Sequence, residues 1–149
     1  VWAWGSANKG QLGLGDLSHR STPTSVVTLN HMGVTKLVCG SHHTAALTID
    51  GQVFVWGDNS AGQGGPSTPI EKSSLPNKSA NKSPSKLGNV SSSIVSPRRL
   101  ELPDGGLVRD LASGDNYLIV VSIDGLTYYV GKLREEEKAT VKQIAVGDA

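Results

Sequence analysis

Short apolar runs broken by glycine set the rhythm of this chain. Val53, Phe54 and Val55 follow the pair Asp50–Gly51, and Ile119, Val120, Val121 and Ile123 lead into Asp124–Gly125. β-Branched and aromatic residues in runs this short suit a pleated, largely buried surface. Asp-Gly between two such runs predicts a two-residue hairpin turn, because glycine tolerates positive φ. Gly40 and Gly114 each follow a short apolar strand and allow a sharp reversal into the next. The pattern predicts small antiparallel meanders of short strands, with little helix.

The meanders repeat. Val1-Trp2-Ala3-Trp4-Gly5 recurs as Val53-Phe54-Val55-Trp56-Gly57 and, more loosely, as Thr127-Tyr128-Tyr129-Val130-Gly131. Leu37 to Gly51 aligns with Leu111 to Gly125 at a step of 74 residues, and the same step separates Gly57 from Gly131. Ile144-Ala145-Val146-Gly147-Asp148 looks like the opening of another copy. A unit this small cannot hide both its faces alone and must stack on a neighbour. The expected fold is all-β: a partial β-propeller of two to three four-stranded antiparallel blades, spanning residues 1–149.

Composition narrows the setting. The chain of 149 residues has the length of one ordinary domain, and its formal charge of +1 points to neither nucleic acid nor membrane. Cys39 is the one cysteine, so no internal disulfide forms and a reducing compartment is favoured. No apolar run approaches the roughly 20 residues that cross a bilayer. The first residues lack the basic start and apolar centre of a signal peptide. With no initiator methionine, the chain is expected to begin inside a longer protein. The expected location is cytoplasmic, with the nucleus as the alternative.

Two further motifs make the repeat specific. Trp4-Gly5-Ser6-Ala7-Asn8-Lys9-Gly10-Gln11-Leu12-Gly13 is followed in the second copy by Trp56-Gly57-Asp58-Asn59-Ser60-Ala61-Gly62-Gln63-Gly64-Gly65. Gly40-Ser41-His42-His43-Thr44 supplies a Gly-x-x-His-Thr segment. These residues resemble the regulator of chromosome condensation repeat. WD-type and kelch propellers are the runners-up, and the Gly-Gln-Leu-Gly run speaks against both. The resemblance implies a ring of about seven blades, of which this chain supplies two to three. It also marks a set of structural motif residues: Trp4, Gly5, Gly10, Gln11 and Gly13 in the first copy, and Trp56, Gly57, Gly62 and Gln63 in the second. Gly40, His43, Gly51, Gly114, Gly125 and Gly131 complete that set. The departures are Gly64 for the usual Leu, Tyr117 at the His position, and a charged run from Lys132 to Lys138. A narrower resemblance, through Leu126 to Gly131, is to the propeller region of an alsin-like protein.

Between the second and third copies lies an insertion, residues 66–97, rich in Ser, Pro, Asn and Lys. It offers too little apolar area to offset ordering entropy and reads as a mobile loop. Lys72, Lys78, Lys82 and Lys86, with Arg98 and Arg99, stand against Glu71, and Ser83-Pro84 and Ser96-Pro97 are candidate phosphorylation sites. Phosphate there would reverse the local charge. Asn77, Asn81 and Asn89 fit the glycosylation pattern, which has no secretion signal to support it.

The chemistry-bearing residues read as structural. His42 and His43 are adjacent on a strand, so their side chains point to opposite faces and do not chelate one metal together. His43 is expected to hydrogen-bond a neighbouring turn, and Cys39 to be a small core residue. Asp16, Asp50, Asp58, Asp115 and Asp124 mostly sit beside glycine, where carboxylates cap turn N–H groups. Gly10 to Gly15 lacks the Lys-Ser/Thr of a phosphate loop. Trp2, Trp4 and Trp56 follow the repeat spacing as core residues and lack the interleaved Arg and Lys of a base-stacking surface. No catalytic, cofactor or metal site is expected.

The function that follows is a non-catalytic protein–protein interaction scaffold within a larger protein. Its partner is expected to be a protein, with a small GTPase as one candidate, rather than a small molecule, nucleic acid or chromatin. The alternative, implied by the family's founding member acting on Ran, is a guanine-nucleotide exchange factor.

Overall fold

Nine strands form three antiparallel sheets within residues 1–65 and 92–132, the part of the chain that the computed structural model describes. The first sheet pairs β1 (Trp2–Gly5) with β2 (Arg20–Ser25). The second has four strands in sequence order: β3 (Val34–Cys39), β4 (His43–Thr48), β5 (Val53–Asp58) and β6 (Ser93–Leu100). The third contains β7 (Val108–Ser113), β8 (Tyr117–Ser122) and β9 (Thr127–Gly131). One 3-10 turn, Val27–Leu29, follows β2.

The sheets are successive blades of an all-β partial propeller, and strand alternation shows how they stack. On β4 and β5, Ala45, Leu47, Val53 and Val55 join a core with Val108, Leu111, Leu118 and Val120 of the third sheet. The intervening Ala46 and Trp56 join a second core with Val26 and Leu29, next to the first sheet. Successive strand side chains point to opposite faces, so the middle blade is buried on both. The third sheet packs on the second through one face, and burial along its central strand β8 alternates: Leu118, Val120 and Ser122 are buried, while Tyr117, Ile119 and Val121 are half-exposed.

The meanders have the expected order, with different turns. The β4–β5 connection is a three-residue loop, Ile49–Asp50–Gly51, closed by Thr48 N–H donating to Gln52 O at 2.9 Å. A two-residue type I′ turn needs positive φ at both central residues, whereas here only Gly51 is left-handed (φ 77°). Ser122 N–H donating to Leu126 O at 2.8 Å closes the same loop between β8 and β9, around Gly125.

Three other expectations change. The insertion ends earlier than residue 97, because Ser93–Leu100 is strand β6. Cys39 is exposed rather than in the core. It shares a face of β3 with Leu37, itself 46% exposed at the side of a cleft that Val1 and Leu29 also line. The equivalent Leu111 of β7 is buried, because the second blade lies against it. Trp2 and Trp4, expected in the core, are 65% and 59% exposed, and Trp56 only 2%. Trp4 and Trp56 each precede a left-handed glycine, Gly5 (φ 106°) or Gly57 (φ 105°), and they differ in what lies across from them.

Candidate functional site

What lies across from Trp56 is the turn after β1. Lys9 N–H donates to Gln11 Oε1 at 2.9 Å, and Gln11 Nε2 donates to Asn8 Oδ1 at 3.1 Å, which folds the side chain back over its own loop. The main-chain oxygen of Gln11 then faces the second blade and accepts from Trp56 Nε1 (2.8 Å) and Thr44 Oγ1 (3.1 Å). A Cβ on Gly13 would stand 2.8 Å from the indole nitrogen, so only glycine lets the ring lie there. The motif residues Gly10, Gln11, Gly13 and Trp56 thus form one seam. No such turn lies against Trp4 among the described residues.

The turn after β5 is built alike. Ala61 N–H donates to Gln63 Oε1 at 2.9 Å, and Gly62 and Gly65 take the positions of Gly10 and Gly13. Across from it stands Val130, which cannot donate a hydrogen bond. Arg98 of β6, in the same blade as the turn, donates from Nη2 to the two carbonyls after Gln63, Gly64 O (2.8 Å) and Gly65 O (2.9 Å). At Gly64, where the first copy has Leu12, Ile94 Cδ1 and Asn59 Oδ1 lie over the position a Cβ would take. Asp58 borders this turn. Burial alone would raise its pKa, but hydrogen bonds from Ser60 and Gln63 and the nearby Lys9 charge hold it below the usual carboxylate value.

His43 lies at the seam between the second and third blades and is 1% exposed. Its Nε2 is 2.9 Å from Ser113 Oγ, and the hydroxyl can donate onward to Gly114 O at 3.3 Å. The network is satisfied when Nε2 carries the hydrogen and Nδ1, which has no hydrogen-bond partner, does not. Burial lowers the imidazole pKa, with the Tyr117 backbone and the Asp58 charge opposing it. The imidazole is therefore neutral at pH 7 and above. Gly40 packs against His43 and Gly114 against Tyr117, at equivalent places in the two blades.

This pair has the atoms of a nucleophile and a base, yet its imidazole is sealed from solvent and no acid reaches Nδ1. Among the described residues, no group of three or more His, Cys, Asp or Glu could hold a metal ion. What reaches solvent is the two rims. One carries Gly40–His42, the turn after β5, Gly114–Asn116 and the end of β9, tied by Ser41 N–H to Asp115 O (3.1 Å) and Lys132 N–H to Asn116 O (3.1 Å). The opposite rim carries the loops at Gly51 and Gly125 and the segment before β7, tied by Val108 N–H to Gly51 O (2.9 Å) and Ile123 N–H to Leu107 O (3.0 Å). Gly131 (φ 107°) of β9 takes the place that Gly57 (φ 105°) has in β5. Ser96 is half-buried in β6, facing Gly15 of the preceding turn. Ser83, Lys72, Lys78, Lys82 and Lys86 lie outside the described residues. Sequence reasoning missed Arg98 and Ser113, whose partners are 34 and 70 residues away with no local signal.

With this geometry in view, residues 1–47 and 34–63 match models of the regulator of chromosome condensation (RCC1) repeat. The human probable E3 ubiquitin-protein ligase HERC6 is 33% identical over 129 residues, covering 86% of this chain and 11% of that protein. The Saccharomyces cerevisiae guanine nucleotide exchange factor SRM1 is 30% identical over 136 residues, covering 89% of this chain and 24% of that protein. The chain thus spans a quarter or less of these relatives. The crystal structure of human WBSCR16 superposes with a TM-score of 0.67 at 23% identity, over 88% of this chain and 28% of that one. S. cerevisiae Prp20p, whose structure was described together with its binding to Gsp1p and histones, superposes at 0.56 with 28% identity, over 89% and 26%.

Proposed function

We propose, from the premise that this chain is built of RCC1 repeats folded as successive propeller blades, that it is a non-catalytic platform for protein–protein interaction within a larger propeller. The observation that carries this reading is the direct tying of neighbouring blades at both rims, through Ser41 to Asp115 and Gly51 to Val108. Loops from separate repeats are thereby held side by side, which gives a rigid surface with variable contacts. The partner is a protein, and the site of action is the cytoplasm or the nucleus. An alsin-like parent rests on Leu126 to Gly131 alone.

A second reading is favoured by the likeness to SRM1: a surface that accelerates nucleotide exchange on a small GTPase. Fold alone does not carry that activity. Nucleotide release from a panel of small GTPases, with and without the protein, separates the two. Binding without faster release supports the platform. Accelerated release that survives deletion of residues 66–91 supports exchange and ends the non-catalytic reading.

A further inference from the structure

The two rims differ in chemistry. On the rim of Gly40–His42, the turns at 40–42, 58–65 and 114–116 expose no large apolar side chain. The opposite rim does the reverse. Ile49 is 75% exposed, Ile123 56%, Leu126 54% and Leu107 45%. Ile49 and Ile123 hold the same place in successive blades, one residue before the Asp-Gly of the loop. Leu107 joins the two loops: its Cβ lies 3.0 Å from where a Gly51 side chain would begin, and its carbonyl accepts from Ile123 N–H. Single exposed apolar residues are ordinary on protein surfaces, whereas a connected row recurring with the repeat marks a contact surface.

Charge says what kind of surface it is. The segments 49–52, 101–107 and 122–126 contain Asp50, Glu101, Asp104 and Asp124 and no Lys, Arg or His. Tyr128 OH donates to Asp104 Oδ2 at 2.9 Å, and Asp124 lies close enough for its charge to act on the same phenol. The phenol thus fixes the Asp104 carboxylate in place. Arg99 on β6 and Arg109 on β7 each lie two residues outside these segments, and His31 is on the loop whose Gly33 O accepts from Ile49 N–H at 2.7 Å.

We infer that this rim docks an extended segment of a partner protein in which apolar side chains alternate with Lys or Arg. The apolar side chains cover the row at Ile49, Leu107 and Ile123, and the cations meet the loop carboxylates. This inference rests on the platform reading and assigns it a face and a partner chemistry.

The test uses the whole protein and three fluorescein-labelled 15-residue peptides: alternating Leu-Lys, alternating Leu-Glu and alternating Ser-Lys. The Leu-Lys peptide is expected to bind and the other two to bind at least tenfold more weakly. Ile49→Ser with Ile123→Ser is expected to weaken binding at least tenfold. Asp104→Asn with Asp124→Asn is expected to weaken it and to reduce its salt dependence. All four positions are exposed, and an unchanged thermal midpoint shows that the variants fold. Equal binding of the three peptides, or binding unaffected by either double variant, overturns the inference. Self-association of the protein abolished by the same isoleucine changes also overturns it, by making a second copy the occupant. Loss of binding only on changing His42 and Asn116 of the other rim overturns it while leaving the platform reading intact. Peptide binding that neither rim's variants alter counts against both.

Discussion

Trp56 of the second blade donates its indole N–H to the main-chain oxygen of Gln11 in the first, at 2.8 Å and across 45 residues of sequence. Ring and hydrogen bond are separable contributions. Trp56→Phe keeps most of the apolar contact and leaves Gln11 O its bond from Thr44, so it is expected to cost about 1 kcal/mol. Trp56→Ala also opens a cavity beside Val26 and Ala46 and is expected to cost about 3–5 kcal/mol. The solvent-facing Trp4→Ala is expected to change stability by less than about 0.5 kcal/mol. Urea-unfolding midpoints of the three variants check this order. Equal losses for Trp4 and Trp56 would show that the repeat position, rather than its neighbour, sets the energy.

That contrast also shows how far sequence could reach. Whatever depends on the local chain was legible, namely the strand order and the left-handed Gly51 and Gly125, whereas the folding back of the Gln11 and Gln63 side chains was not foreseen. Burial of Trp4 and Cys39 was misjudged, because it depends on which blade lies opposite and not on the residue's own strand. The insertion's boundary was misplaced because Ser and Pro near residue 96 mask the alternation of Ile94 and Val95. β6 is the edge strand of its sheet, and its register with β5 shifts between Val55 and Gly57, close to Pro97. An edge strand with such an irregularity is where proline is tolerated. For the candidate docking rim, the exposed isoleucines were read as buried strand residues. Their place one step into a loop appears only once the loop is seen to have three residues.

Arg98 holds the turn at Gly64 and Gly65 from within its own blade. The third blade has Val130 where the second has Trp56, and the guanidinium donates to the turn that Val130 faces. Arg98→Met keeps the apolar stem but leaves Gly64 O and Gly65 O without that donor, an expected loss of about 1–3 kcal/mol. Arg98→Lys should recover only part of it, because a single ammonium on a flexible stem holds the two carbonyls less well. Amide hydrogen exchange at Gly62 to Gly65 locates the effect. Unchanged protection there in Arg98→Met would mean the turn does not depend on the guanidinium.

Lys36 and Asp110 occupy equivalent positions in β3 and β7, and their charges meet at 2.7 Å. The short distance invites a large energy, but the side chains are 43% and 59% exposed. Solvent and salt screen such a pair. A double-mutant cycle with Lys36→Met and Asp110→Asn is expected to give a coupling below about 1 kcal/mol, falling further in high salt. The blades are held by Val108, Leu111, Leu118 and Val120 rather than by this pair. A coupling well above that bound would reverse this ranking.

His43 makes stability depend on pH. Burial holds its folded pKa below the ordinary 6.5, since a proton added at Nδ1 would find no acceptor. Above 6.5 the imidazole is neutral whether the chain is folded or not, and the seam with Ser113 is intact. As pH falls through 6.5 the unfolded chain takes up a proton that the folded chain refuses, so stability falls until the folded pKa is passed. The slope in that window approaches about 1.4 kcal/mol per pH unit. The carboxylates of Asp16, Asp104 and Asp110, each held by partners below 3.8, add their losses only at lower pH. His43→Gln keeps a donor for Ser113 without a titrating group. It is expected to be less stable at pH 8, through imperfect filling, and to lose less stability than the parent between pH 7 and pH 5. Urea titrations of both proteins across that range decide the matter, and parallel pH profiles would exclude His43 as the source of the slope.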